Sequence, residues 1–414
     1  VQLLASIKKY YFIVGCLLIC LGFPLFEVSP AFLSIGTVIC ALAVFEGRVI
    51  ENLKKFITPP ALLFLVLWLW LLASGIYSDD IGRWSDRVSR KLSLVLLPLG
   101  MVSVTTLTKK QVWLIFFVFN CVITFFAVAS AINYFQNFEA INASMIESKS
   151  VPVWPIKKGI SHIYFGVLTS FCIVNSVFFS LNEKTKVLFA KDRIVMGSLA
   201  LLNIIIIHML SARTGLVAVY GGLGILVLHW VWRHRKKKVV WLLLVALPLL
   251  PVAAYYTVPS FQNKIKNSVR DIEINRDGGD INHRSFSMRL EAWKMGINLI
   301  QQNPVIGVGA GDLDDEMQAE YNRTNSVLWQ ENRVMPHNQF IENAVQMGIP
   351  YSLFLLIVIF FPLIKWRKTS PLLWACAFMF FFAMCFESIL ERQIGVVLFP
   401  FVYFLGGFLP AKEN

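Results

Sequence analysis

Long apolar runs separated by short polar breaks occupy most of the chain. Twelve runs have the character of membrane-crossing helices, at about 10–26, 29–45, 60–77, 92–107, 111–133, 161–181, 194–210, 215–231, 239–256, 338–361, 371–387 and 392–409. At 1.5 Å of rise per residue, roughly 20 apolar residues cross a hydrocarbon core. The pattern predicts an all-α polytopic membrane protein with about twelve transmembrane helices. Residues 1–256 would hold the first nine, 257–336 a mostly helical loop domain, and 337–414 the last three.

Three polar breaks on one side are longer than the rest. The first, about 78–91, carries Arg83, Arg87, Arg90 and Lys91, and a helix there places the three arginines on one face. The second, about 134–160, includes Lys149, Lys157 and Lys158. The third, 257–336, predicts two helices. One spans about 260–274 with Phe261, Ile265, Val269 and Ile272 at helical spacing. The other spans about 285–302, with a stripe of Phe286, Leu290, Trp293, Ile297 and Ile300 and Asn303-Pro304 as its stop. Such a stripe packs on the bundle or lies on the membrane surface. GVGAGD at 307–312 reads as a turn, with no Rossmann strand before it.

Composition narrows the class. The chain is 57% hydrophobic and 15% charged with a mean hydropathy of +0.64, against about 45–50% and about 25% for a soluble domain. A soluble enzyme, a disordered chain and a secreted disulfide scaffold are excluded. The net charge of +13 raises the question of nucleic acid, but its distribution answers it. With both termini on one side, the breaks there hold Lys8, Lys9, Arg48, Lys54, Lys55, Lys109, Lys110, Lys184, Lys186, Lys191, Arg193, the Arg233–Lys238 cluster, Lys365, Arg367, Lys368 and Lys412. That side has 20 Lys/Arg and 5 acids, and the other has 18 and 20. The positive-inside rule assigns the first set to the cytoplasm. The basic surplus is topogenic, and no nucleic-acid partner is expected. All seven cysteines fall in predicted spans, so no disulfide or metal framework follows. Lys8 and Lys9 resemble a signal-peptide start, but the run reaches Phe26 and meets Glu27 without a cleavage site, and it reads as a retained span.

Ionisable residues avoid the span centres, where transporters usually bury them. Polar residues gather at the outer mouths instead: Arg213 in LSART, Glu387, Glu391-Arg392, and His337. This points to chemistry at one membrane face on a lipid-borne substrate. His337 follows Pro336 at a helix entrance; taken alone, such a ring is more commonly a structural amphipathic residue. The other five histidines have no metal-ligand spacing, and Asp312, Asp314, Asp315 and Glu316 lie in no EF-hand pattern. Arg213, in a very short break between apolar spans, reads as a snorkelling anchor or as a bidentate phosphate clamp. Arg289, in SMRLEAW, reads by itself as part of a solvated helix face.

One string carries a resemblance. His337, Asn338, Gly348 and Tyr351 fit the pattern H, then N/S/Q, nine residues, G, two residues, then G/T/Y, which is similar to the signature of bacterial O-antigen ligases in the ligase/polymerase superfamily. Ser211, Arg213 and Gly215 resemble that family's S-x-R-x-G turn, and Arg289 precedes an NP-x-x-G-x-G stretch at Asn303, Pro304, Gly307 and Gly309. The resemblance implies a GT-C-like enzyme of the bacterial inner membrane with both termini cytoplasmic and a periplasmic active site. It would move polysaccharide from undecaprenyl diphosphate to a sugar hydroxyl of lipid A–core. On that reading His337 is the base, Arg213 and Arg289 bind the donor diphosphate, and Asn338, Gly348 and Tyr351 support the motif. Arg83, Arg87 and Arg90 are the candidate contacts to an anionic acceptor. A metal-independent, cofactor-free inverting reaction is implied, with arginine in the place of the cation. An O-antigen polymerase or a protein O-oligosaccharyltransferase shares the donor and these residues. A lipid-linked sugar flippase would instead show a charged central cavity and internal symmetry.

Overall fold

The computed structural model describes residues 2–45, 49–57, 59–104, 107–146, 150–156, 159–181, 191–234, 238–364 and 370–407. Among these the chain forms eighteen α-helices and no strand. The first six are α1 (Gln2–Gly22), α2 (Ala31–Ala41), α3 (Val49–Phe56), α4 (Ala61–Ala73), α5 (Ile81–Arg90) and α6 (Ser93–Ser103). Next come α7 (Lys109–Gln136), α8 (Phe138–Ile146), α9 (His162–Leu181), α10 (Asp192–Leu210), α11 (Arg213–His234) and α12 (Lys238–Thr257). Residues 257–336 give α13 (Pro259–Arg276), α14 (Ser285–Gln302) and α15 (Leu313–Arg323), and there follow α16 (Gln339–Ile364), α17 (Pro371–Phe386) and α18 (Gln393–Gly407).

Each of the twelve apolar runs therefore holds a helix, and the protein is an all-α polytopic membrane protein. Among the described residues, fewer helices reach the length and hydropathy of a complete crossing than the pattern predicts. Five helices, α7, α9, α10, α11 and α16, are long and apolar enough on their own, and up to seven spans result if each of two bent pairs is one span. One bent pair joins α12 to α13 across a 96° break. Helix α6 stops at eleven residues with Pro98 inside it; proline removes a helical hydrogen bond and clashes with the preceding turn. Of the basic residues assigned to the inner side, Arg48, Lys184, Lys186, Arg235, Lys236, Lys237, Lys365, Arg367, Lys368 and Lys412 lie outside the described residues, as do Lys149, Lys157 and Lys158 of the second outer loop.

Helix α11 packs between α9 and α17, and α10 packs on α9. Aromatic rings lock distant segments: Phe23 of the α1–α2 turn meets Phe119 of α7 at 5.9 Å and Phe401 of α18 at 6.0 Å between centroids. Residues 257–336 contribute a second small core of Ile281, Ala292, Met295, Leu299, Leu313, Met317, Tyr321 and Leu328, which closes on Val345 of α16. That core corrects two expectations. The buried face of α14 runs through Ser287, Ala292, Met295 and Leu299, whereas Ile297 of the predicted stripe is exposed. Along α13 only Phe261 of the predicted stripe is buried, while Ile265, Val269 and Ile272 face outward. Helix α15, unpredicted, supplies Leu313, Met317 and Tyr321 four residues apart.

Candidate active site

The entrance to α16 is built by Asn338. Its Oδ1 accepts from the amides of Phe340 at 3.0 Å and Ile341 at 3.1 Å, a side-chain cap on the helix start. Its Nδ2 donates to the Cys385 carbonyl at 2.9 Å, which ties that cap to the end of α17. Between this clasp and Pro336 sits His337, with φ of +48°. A left-handed backbone is costly outside glycine and persists where surrounding contacts enforce it. One such contact is the Trp293 indole, which donates to the Pro336 carbonyl at 2.6 Å.

The His337 Nδ1 lies 2.8 Å from Glu387 Oε1, and the imidazole side chain is 34% exposed. Because an ionised carboxylate only accepts, neutral His337 carries its proton on Nδ1 and leaves the Nε2 lone pair free. Glu387 turns its other oxygen to Arg289, whose Nη2 is 3.3 Å away and whose Nη1 donates to the Phe386 carbonyl at 2.9 Å. Burial pushes the Glu387 carboxyl up, but its hydrogen bond and charge interaction with His337 and the nearby Arg289 charge outweigh it. The net shift is downward, so Glu387 is ionised at neutral pH.

Arg213 opens α11 directly after Ala212, which follows Ser211 at the end of α10, where φ is +53°. The close approach behind it needs Gly215: a Cβ there would lie 2.5 Å from the Gly166 carbonyl carbon of α9. The Arg213 Nε is buried and has no hydrogen-bond partner among the described residues. Its charge interacts with those of Arg289 and Asp271, and Lys264 of α13 interacts with the same three groups. Lys264 Nζ also donates to Ser150 Oγ at 3.3 Å, and that hydroxyl lies 3.0 Å from His162 Nε2. Arg213, Lys264 and Arg289 thus sense one another's charge together with that of Asp271, a net-cationic group suited to a phosphate-bearing ligand.

The glycine of the histidine motif has a second task. At Gly348 (φ 85°, ψ 165°) the helical path of α16 breaks. The NP-x-x-G-x-G stretch lies along this break: Val308 N donates to Val345 O at 2.8 Å, Gly309 N to Gln346 O at 3.0 Å, and Ile349 N to Pro304 O at 2.8 Å. A Cβ on Gly348 would come within 1.9 Å of the Val305 carbonyl oxygen. The two motifs are two sides of one joint. Tyr351 is buried one turn further on, edge-on to Trp70 at 5.6 Å.

Residues 198–356 match the family model described as O-antigen ligase. Over that segment the chain is similar to the O-antigen ligase/polymerase superfamily. No curated protein matches the chain. The O-antigen ligase match runs from α10 into α16, taking in Arg213, Lys264, Arg289 and His337 and ending before Glu387.

Two parts of the site lie outside the O-antigen ligase segment. Glu387 and His162 reach it from α17–α18 and α9, and neither they nor Lys264 were assigned a role from the sequence. The arginines of α5 form a separate group. Arg83 pairs with Asp315 at 2.8 Å, Arg87 with Asp314 at 2.8 Å, and Arg90 donates to the Glu391 carbonyl at 3.0 Å. Arg87 is the most enclosed; burial works against its charge, but Glu391 and Asp314 more than offset this and raise its pKa. The Asp312 carboxylate accepts the Asp79 and Asp80 amides at the start of α5, so the α15 acids fasten α5 to the outer segment. Glu391 links this group to the histidine entrance through Lys91 at 2.5 Å and Gln339 at 3.4 Å.

Proposed function

We propose that the protein is an O-antigen ligase: a glycosyltransferase that moves a polysaccharide from undecaprenyl diphosphate to a sugar hydroxyl of lipid A–core at the periplasmic face. The observation that carries this reading is a partly exposed imidazole anchored on Glu387, whose other oxygen meets Arg289 of the cationic group. Those are the two components that the reaction requires. The acceptor hydroxyl is a weak nucleophile at neutral pH and gains from a base. The diphosphate is a good leaving group whose growing charge needs cations.

In this reading the acceptor oxygen attacks the anomeric carbon opposite the diphosphate. The carbon–oxygen bond to the lipid diphosphate breaks with its electron pair, and the hydroxyl proton passes to Nε2 of His337. Attack from the opposite face inverts the anomeric centre. Arg213 and Arg289, with Lys264 beside them, bind the diphosphate and stabilise it as it leaves. Arg83 and Arg90, at the rim on α5, contact an anionic acceptor, and Arg87 holds that helix in place.

The test supplies purified protein with undecaprenyl diphosphate–glycan and one of three acceptors: lipid A–core, a second glycan chain, or a pilin-like protein. Glycosylated lipid A–core is expected. Product on the glycan or the protein instead would make it a polymerase or a protein O-oligosaccharyltransferase. His337→Ala should lower transfer by about 10²–10⁴-fold, the usual contribution of a positioned base. Wild-type transfer by a well-folded His337→Ala protein would remove the base assignment.

A further inference from the structure

Glu387 lies fifty positions from His337 and outside the O-antigen ligase segment, yet it touches both of the groups on which the proposed reaction depends. We infer that Glu387 is the positioning residue of the site, orienting His337 as a base and restraining Arg289 until donor phosphate takes its place. The inference rests on the reading of His337 and Arg289 given above.

The carboxylate is held where this requires. Its side chain is 6% exposed. The loop that carries it is fastened on several sides: Asn338 binds Cys385 O, Arg289 binds Phe386 O, Tyr164 donates to Ser388 O at 3.2 Å, and Leu390 N donates to Gln339 Oε1 at 2.6 Å. The two other buried carboxylates nearby have different partners. Glu342 accepts from Ser388 Oγ, and Glu391 is held by Lys91 and Arg87. Glu387 is therefore the carboxylate hydrogen-bonded to His337 among the described residues.

Two consequences follow from this geometry. A carboxylate on Nδ1 keeps Nε2 unprotonated and turned outward, and it stabilises the imidazolium formed once the proton is taken; loss of such a partner in a comparable constellation costs up to about 10⁴-fold in turnover. Its second oxygen meets Arg289 at 3.3 Å, longer than a strong charge-assisted contact. A diphosphate offers Arg289 a bidentate partner and competes well for it. With Arg289 drawn to the donor, the full charge of Glu387 falls on His337. The base is then strongest when the donor is bound.

Glu387→Gln separates this role from a packing role, because the amide keeps the size and an acceptor oxygen but loses the charge. Turnover at saturating donor should fall by about 10²-fold or more, while binding of undecaprenyl diphosphate stays equal or tightens because Arg289 is released. Thermal unfolding of the full chain in detergent should stay at the wild-type value. Wild-type turnover in Glu387→Gln, with His337→Ala inactive, would overturn the positioning role and leave the base intact. Weaker donor binding with a lowered unfolding temperature would overturn it in favour of a structural role. Normal transfer by His337→Ala would instead remove the reading on which the inference rests.

Discussion

Arg213 and Arg289 differ in what holds them. Arg289 already has a carboxylate and a carbonyl, whereas the buried Arg213 Nε has no hydrogen-bond partner among the described residues. A partly desolvated guanidinium with an unbonded N–H carries a cost that an anionic ligand would offset. If both arginines grip phosphate through their planar fork, charge alone does not replace them. Arg213→Lys and Arg289→Lys should each lose most of the transfer activity at matched membrane expression. A snorkelling anchor would accept lysine without loss, so full activity in both variants would reduce them to anchors. His337, Arg213 and Arg289 were legible because each sits in a local string. Lys264 and Glu387 were not, because their significance comes from side chains that only folding brings near. Glu387 was visible as a polar residue at an outer mouth, but nothing in the sequence ties it to His337.

At the scale of elements, the apolar runs located all twelve of the helices assigned to them, since a window of nonpolar residues is a local signal. Helix ends and buried faces depend on partners. The face of α14 that is buried is chosen by Met317, Tyr321 and Val345, which the sequence does not place beside it. Helix α15 had a usable signal in the spacing of Leu313, Met317 and Tyr321, masked by the acids at 314–316. The joint between α16 and the NP-x-x-G-x-G stretch explains the glycines of both motifs as one contact. Gly348→Ala should force a side chain into both a left-handed backbone and the Val305 carbonyl, at about 1–3 kcal/mol for the backbone alone. The expected result is a clearly lowered unfolding temperature and faster proteolysis at 303–309. Gly224→Ala is the control: nothing lies within 4 Å of its added Cβ, and alanine should stabilise that helix by about 0.5–1 kcal/mol. Equal stability of the two variants would mean that the joint does not hold.

Across the whole molecule, helix direction puts the proposed catalytic groups at one end of the bundle. Helices α9, α11 and α16 begin there, with His162, Arg213 and the cap after His337, and α10 and α17 end there, with Ser211 and Glu387. The opposite end of α10 is basic, with Lys191 and Arg193 flanking its start. The proposed topology rests on the 20 basic and 5 acidic residues assigned to the inner side, the pattern that retains a loop in the cytoplasm. In the proposed reaction, a donor carried on undecaprenyl diphosphate and an acceptor in lipid A–core would both have to reach the other face. Reporter fusions test the arrangement directly. A reporter active only outside the cytoplasm should work when fused at Gly279, and one active only in the cytoplasm should work at Lys237. Both sites avoid the proposed catalytic groups, so the readout does not depend on activity. A cytoplasmic signal at Gly279 would place His337 and its cations on the wrong side of the membrane for this chemistry, and the proposed reaction would fail with it.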